Sequence, residues 1–258
     1  MKPLAFVIVG LLVFSVAAQA ATPTPGRNSV WVRGRAQDIY LYPAHGALLG
    51  SVLFVPGDGG WHGYAIDIAQ IMSRAGYDVY GFDTKHYLES FTGKTVLRET
   101  DVMNDFRELA RWIAQGQIPR ISLVGWSEGA GLCLLGAASP EAKSAFTGLI
   151  TLGLPEQNIL GWRIADYVSW ITKKTPNEPV FRSMDYIHRV APLRLWMMQS
   201  TKDEYVPLDK SRDLFAAASE PKRFSAIEAS NHRFDGNQKE LYRLIEEGLR
   251  WLNGSNAI

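Results

Sequence analysis

The sequence predicts an α/β protein, a mostly parallel central sheet flanked by helices, on three observations. Short apolar runs suited to buried strands alternate with helix-period segments from residue 51 onward. A hairpin-like pair of β-branched and aromatic stretches precedes them. Most tellingly, Gly125-Trp126-Ser127-Glu128-Gly129 follows the apolar run Ile121-Ser122-Leu123-Val124 and leads into Ala130-Gly131-Leu132-Cys133-Leu134-Leu135. That places a serine at the apex of a strand–turn–helix. Such a turn strains the serine's backbone, and a side chain two positions before or after it would strike the neighbouring strand or helix. Together these features predict an α/β-hydrolase fold.

Each element follows from its pattern. Residues 30–32 and 38–42 form the opening hairpin, and the continuous apolar run 51–55 is the first central parallel strand. A helix over about 64–74 and a strand over 77–82 come next. A long helix over about 95–114 carries Val102, Phe106, Leu109 and Ile113 on one face. Beyond the elbow, strands are predicted at 148–152, 193–198 and 224–229, with helices at about 211–218 and 238–252. Between 152 and 193 the alternation lapses, which predicts a small lid insertion at about 155–190 holding Trp162, Tyr167, Trp170 and Ile171. Its segment 164–171 reads as a helix apolar over much of its circumference. Packing of these aromatics onto the domain is the first reading, and contact with an acyl chain or lipid is the second.

The chain has 258 residues with 27 Lys and Arg against 26 Asp and Glu, so nothing in its charge points to a nucleic-acid partner. Residues 1–20 read as a cleavable signal peptide: Lys2, an apolar stretch from Leu4 to Val16, then Ala18-Gln19-Ala20. That apolar stretch is shorter than the roughly 20 residues of a bilayer span. A Thr-Pro tether at 21–28 and one domain at 29–254 complete the organisation. The single cysteine, Cys133, permits no intrachain disulfide and reads as a buried core thiol. Export without disulfides suits a bacterial periplasm.

A serine hydroxyl needs an imidazole to take its proton, and the imidazole needs an acid to fix its tautomer. In this fold the chain order is Ser, acid, His. His45, His62 and His86 precede the serine and His188 precedes the strand that should carry the acid, so order selects His232. The acid is Asp203, in the loop after the strand 193–198, with Glu204 as nearest rival and Asp209 and Asp213 as helix-start acids. One oxyanion donor is the backbone N–H of Glu128. The other comes from the glycine-rich loop Pro56-Gly57-Asp58-Gly59-Gly60-Trp61, at Asp58 or Gly57. That loop lacks the Lys-Ser/Thr of a phosphate-binding loop. No His-Glu-x-x-His or cysteine cluster exists and His232 with Asp235 is a weak metal signal, so neither metal nor cofactor is expected.

Pro56 to Trp61, Gly81-Phe82-Asp83-Thr84-Lys85-His86-Tyr87, the elbow and His232-Arg233-Phe234-Asp235-Gly236 together resemble the bacterial virulence-protein family of VirJ and AcvB, over about 51–251. The resemblance implies a periplasmic serine hydrolase with an α/β-hydrolase fold. It further implies an ester substrate, including aminoacylated phosphatidylglycerol, a membrane lipid, with peripheral membrane contact and an envelope or secretion-system partner. This chain departs from the usual pattern at Pro56, Glu128 and Arg233. Asp58, Asp83 and Glu128, with Trp61, Tyr87, Trp162 and Trp170, are the candidate substrate contacts. A periplasmic binding or assembly protein on the same fold, and a peptidase or thioesterase, are the alternatives.

Overall fold

The computed structural model describes residues 22–118, 120–162 and 178–254. Strands β1 (Gly26–Val32), β2 (Arg35–Tyr42), β3 (Gly50–Val55), β4 (Tyr77–Phe82), β5 (Ile121–Trp126) and β6 (Phe146–Leu152) join β9 (Arg194–Ser200) and β10 (Lys222–Ile227) in one eight-stranded sheet. Its spatial order is β1-β2-β4-β3-β5-β6-β9-β10. Only β1–β2 and β2–β4 pair antiparallel; the rest of the sheet is parallel. A separate two-stranded antiparallel sheet pairs β7 (Gln157–Ile159) with β8 (Val180–Arg182).

The strand sequences explain the layering. In β3, Leu53 and Val55 join a core with helices α3 (Glu99–Ala114) and α4 (Glu128–Ala137), while Val52 and Phe54 join a second core on the opposite face. That second core takes Ile68 and Met72 of α1 (Tyr64–Arg74) and Leu241, Ile245 and Leu249 of the C-terminal helix, Gln238–Leu252. A strand covered on both faces must be apolar at successive positions, which is why the period-2 pattern vanishes here. Helix α4 is buried from Gly129 to Ala137 and lies in the interior, with Cys133 as one of its core side chains.

Several boundaries differ from expectation: β1 begins at Gly26 rather than 30, β2 at Arg35 rather than 38, and the last strand covers Lys222–Ile227 rather than 224–229. The segment before α3 contains a separate helix, α2 (Thr84–Phe91), and α3 starts at Glu99 rather than near Thr95. Each start has its own cap: the Asp83 carboxylate accepts from His86 N at 3.1 Å just before Thr84, and the Asp101 carboxylate accepts from Arg98 N at 2.9 Å just before Glu99. The short α5 (Ala142–Ala145) and the β7–β8 pair also lacked a sequence signal of adequate length. Among the described residues the remaining α-helices are α6 (Leu208–Ala217) and α7, the C-terminal one. The expected lid helix at 164–171 and the leader at 1–20 lie outside the described residues. Among the described residues no helix is long and apolar enough to cross a membrane.

Register sets the site. Val55 pairs with Gly125, Trp126 with Leu152, Leu152 with Met198, and Ser200 with Ile227. The carboxyl ends of β3, β5, β6, β9 and β10 therefore finish side by side. Strand β3 lies between β4 and β5, so the strand order reverses there, the place where open α/β sheets form crevices.

Candidate active site

Ser127 follows β5 with φ 54° and ψ −126°, a left-handed conformation that serine adopts only under constraint. Its N–H donates to Leu152 O at 2.9 Å, and Ala130 N donates back to Ser127 O at 2.8 Å, closing the turn. The flanking glycines are required by space. A Cβ on Gly129 would lie 2.1 Å from Val55 O, and one on Gly125 would lie 2.5 Å from Ala130 Cα.

His232 Nδ1 is 2.6 Å from Asp203 Oδ2. The Asp203 carboxylate also accepts from Gln199 Nε2 at 2.8 Å, Tyr205 N at 2.9 Å and Val206 N at 2.8 Å. Burial alone would raise the pKa of this acid, but the His232 contact and the two backbone donors outweigh it and hold it below its ordinary value. An ionised Asp203 fixes the proton on Nδ1, so Nε2 is the free base. That nitrogen is buried and makes no hydrogen bond. His232 and Ser127 line one cleft of about 520 Å³ with Gly57, Asp58, Tyr64, Trp126, Glu128 and Ile159 among its walls.

The rival acid has a different task. Glu204 Oε2 accepts from His232 N at 2.8 Å, holding the histidine's backbone while Asp203 holds its ring. Three further residues escaped sequence reasoning. Trp126 stacks on the imidazole with centroids 5.9 Å apart and is itself met edge-on by Tyr64. Tyr205 meets the imidazole edge-on, with centroids 5.5 Å apart. Gly153, at φ +60°, lies so close that a Cβ there would be 2.7 Å from His232 Cε1 and 3.3 Å from Asp203 Oδ2. A glycine directly after a central strand was the only sequence signal for it. Gly153→Ala is expected to displace the imidazole and lower kcat by roughly 10² while the far-UV circular dichroism stays that of the parent. An unchanged kcat would show that the histidine tolerates the shift.

The histidine's motif has a local logic. Phe234 is fully buried at φ 58°, and Asn231 Oδ1 accepts from Arg233 N at 2.9 Å and Asp235 N at 3.1 Å, which folds the loop around His232. Asp235 accepts hydrogen bonds from Asn231 Nδ2 and Gln238 Nε2. Among the described residues, no three His, Cys, Asp or Glu side chains are grouped to hold a metal ion.

Gly57 and Asp58, the expected sources of the second oxyanion donor, lie beside the serine. They line the cleft, and a Cβ on Gly57 would be 3.3 Å from Ser127 Cβ. Glu128 is the first helical residue of α4, so its N–H has no intrahelical partner and is available to an oxyanion.

Several candidate substrate contacts are corrected. Asp83 caps α2 and does not line the cleft. Trp61 lies flat on Tyr40, with centroids 5.3 Å apart and planes at 4°, over Gly81, whose absent Cβ would otherwise fall 1.8 Å from the indole. It anchors the glycine-rich loop to the sheet, while Asp58 of the same loop lines the cleft. Tyr87 is fully buried and donates to Asp105 Oδ2 at 2.6 Å. Trp162 is buried, with the Lys85 ammonium 4.4 Å from its ring centroid, and its backbone N–H donates to Thr92 Oγ1 at 2.8 Å. Trp170 lies outside the described residues.

This fold, with a strained serine and a paired histidine and aspartate above its parallel strands, defines an α/β-hydrolase-fold protein. More particularly, the chain belongs to the VirJ family, because residues 50–250 match the model for the bacterial virulence protein VirJ. Among solved structures, it is similar to the alpha/beta hydrolase GrgF from Penicillium sp. sh18, with TM-score 0.67 and 13% identity over 88% of this chain and 99% of that one. Est1E from Butyrivibrio proteoclasticus gives TM-score 0.66 and 14% identity over 89% and 99%. The dienelactone hydrolase from Anabaena variabilis gives 0.63 and 17% over 88% and 97%. At these identities the likeness is one of fold. No curated protein matches the sequence.

Proposed function

We propose that this protein is an exported serine hydrolase that cleaves an acyl or aminoacyl ester in the periplasm. The observation that carries the reading is the 2.6 Å contact from Asp203 Oδ2 to His232 Nδ1, in a cleft shared with the left-handed Ser127. Ser127 Oγ attacks the ester carbonyl as His232 Nε2 takes its proton, and Asp203 stabilises the imidazolium. The N–H groups of Glu128 and of Gly57 or Asp58 receive the oxyanion. Collapse expels the alcohol, which takes its proton from His232. A water activated by the same nitrogen then releases the acid and restores the serine.

The dienelactone hydrolase among the structural neighbours, a likeness of fold, supports hydrolase chemistry on this scaffold. Membership of a virulence-protein family and the signal-peptide pattern of residues 1–20 support an envelope location and a substrate there, with aminoacylated phosphatidylglycerol as the specific candidate. Peripheral contact with the membrane follows from such a substrate. The test is to treat the mature protein with a fluorophosphonate, map the adduct, and assay a panel of plain and aminoacyl phospholipids by mass spectrometry. An adduct on Ser127 and release of a fatty or amino acid are expected. Folded protein inert to both the probe and the panel would sink the hydrolase reading and leave a binding or assembly role.

A further inference from the structure

Glu128 supplies more than a backbone N–H. Its side-chain Oε1 accepts from Ile159 N at 2.7 Å, joining the first residue of α4 to strand β7. Ile159 lines the cleft with Ser127 and Glu128. The neighbouring residue makes the second attachment. Asn158 is fully buried, donates from Nδ2 to Ser183 Oγ at 2.8 Å, and sits in a notch left by Gly131 of α4, where a Cβ would be 2.0 Å from Asn158 Oδ1. Ser183 Oγ in turn donates to Pro155 O at 2.6 Å, and Ser183 N to Glu156 O at 2.8 Å. The two strands are therefore held to α4 at two points one turn apart, residues 128 and 131, and one of them is the residue whose N–H the hydrolase reading assigns to the oxyanion.

We propose that Glu128 is a positioning residue: its carboxyl holds Ile159 in place as a wall of the substrate cleft and, through the same bond, steadies the first turn of α4 that carries the oxyanion donor. This rests on the hydrolase reading for its catalytic consequence, though not for the contact with β7 itself. A carboxyl does this work in either protonation state, since the oxygen that accepts from Ile159 is an acceptor in both. Burial, then the nearby Asp58 carboxylate, push Glu128 well above its ordinary pKa, which favours the neutral acid. Glutamine has the same shape and the same acceptor oxygen as that acid. Alanine has neither.

The prediction is a split between the two substitutions. In E128A the Ile159 amide should exchange with deuterium about tenfold faster than in the parent, the consequence of losing one partly buried hydrogen bond. In E128Q its protection should return to near the parent value. With an ester whose acyl group is large enough to reach Ile159, E128A should raise KM and lower kcat together, by about tenfold in kcat/KM, and E128Q should recover most of that loss. A merely structural contribution would lower the melting temperature of both variants without separating Ile159 exchange from that of its neighbours. Equal Ile159 protection in the parent and E128A would overturn the proposal, as would E128Q behaving like E128A. Failure of the hydrolase reading is distinguishable, because the exchange measurement needs no turnover and Ser127 labelling by a fluorophosphonate reports on the nucleophile separately.

Discussion

Ser127→Ala is expected to lower kcat for an activated ester by about 10⁶, the scale on which a serine-triad nucleophile acts as part of one unit. Binding should survive, because the cleft walls and the oxyanion donors are untouched. Asp203→Asn is the sharper companion. The amide keeps the shape of the carboxyl but gives up the charge that the Gln199, Tyr205 and Val206 donors surround. It also permits the opposite imidazole tautomer, with the proton on Nε2, so a loss of about 10⁴ is expected. Purified variants assayed against the parent at one pH, with circular dichroism to confirm folding, decide the matter. Retention of more than about a hundredth of parental kcat by Ser127→Ala would remove the nucleophile from the mechanism.

The legibility of this site in the sequence was uneven, for physical reasons. Ser127 and its glycines were readable because a strand-to-helix turn this tight admits few residue types. Asp203 and His232 were readable because chain order restricts which acid and which imidazole reach the carboxyl ends of the strands. What stayed hidden depends on distances between segments far apart in sequence. Nothing local says that Gly153 presses on the imidazole, or that Trp126 lies along it. Trp61 misled for the same reason. Beside a glycine-rich loop an indole resembles a substrate platform, and only the missing side chain at Gly81, twenty residues on, shows that it is an anchor. Glu204 was a plausible rival for the catalytic acid because adjacent carboxylates look alike in sequence. Their donor partners, a backbone N–H for one and a ring nitrogen for the other, tell them apart.

The largest effect on stability is expected away from the cleft, at Asp105. Its carboxylate is 1% exposed and accepts from Arg33 Nε at 3.0 Å to each oxygen and from the Tyr87 hydroxyl at 2.6 Å. Arg33 sits at φ 45° in the β1–β2 turn with its guanidinium 3.9 Å from the Phe91 ring centroid, so one acid ties the first hairpin to α2 and α3. Asp105→Ala leaves a buried phenol and a partly buried cation without their acceptor, and a loss of about 3–5 kcal/mol is expected. Asp105→Asn should cost less, because the amide oxygen still accepts from Tyr87. Its pH behaviour is the discriminating measurement. Burial raises the pKa of Asp105 from 3.8 to about 6 despite the opposing pull of Tyr87 and Arg33. The folded state then holds this proton more tightly than the unfolded chain does, so the contribution of Asp105 is greatest below about pH 4. It falls as the pH rises to about 6 and is level above that. Urea midpoints measured from pH 4 to pH 7 should show that decline in the parent and a flatter profile in Asp105→Asn. Parallel profiles would mean that the Arg33 and Tyr87 contacts keep Asp105 ionised throughout, with burial the weaker influence.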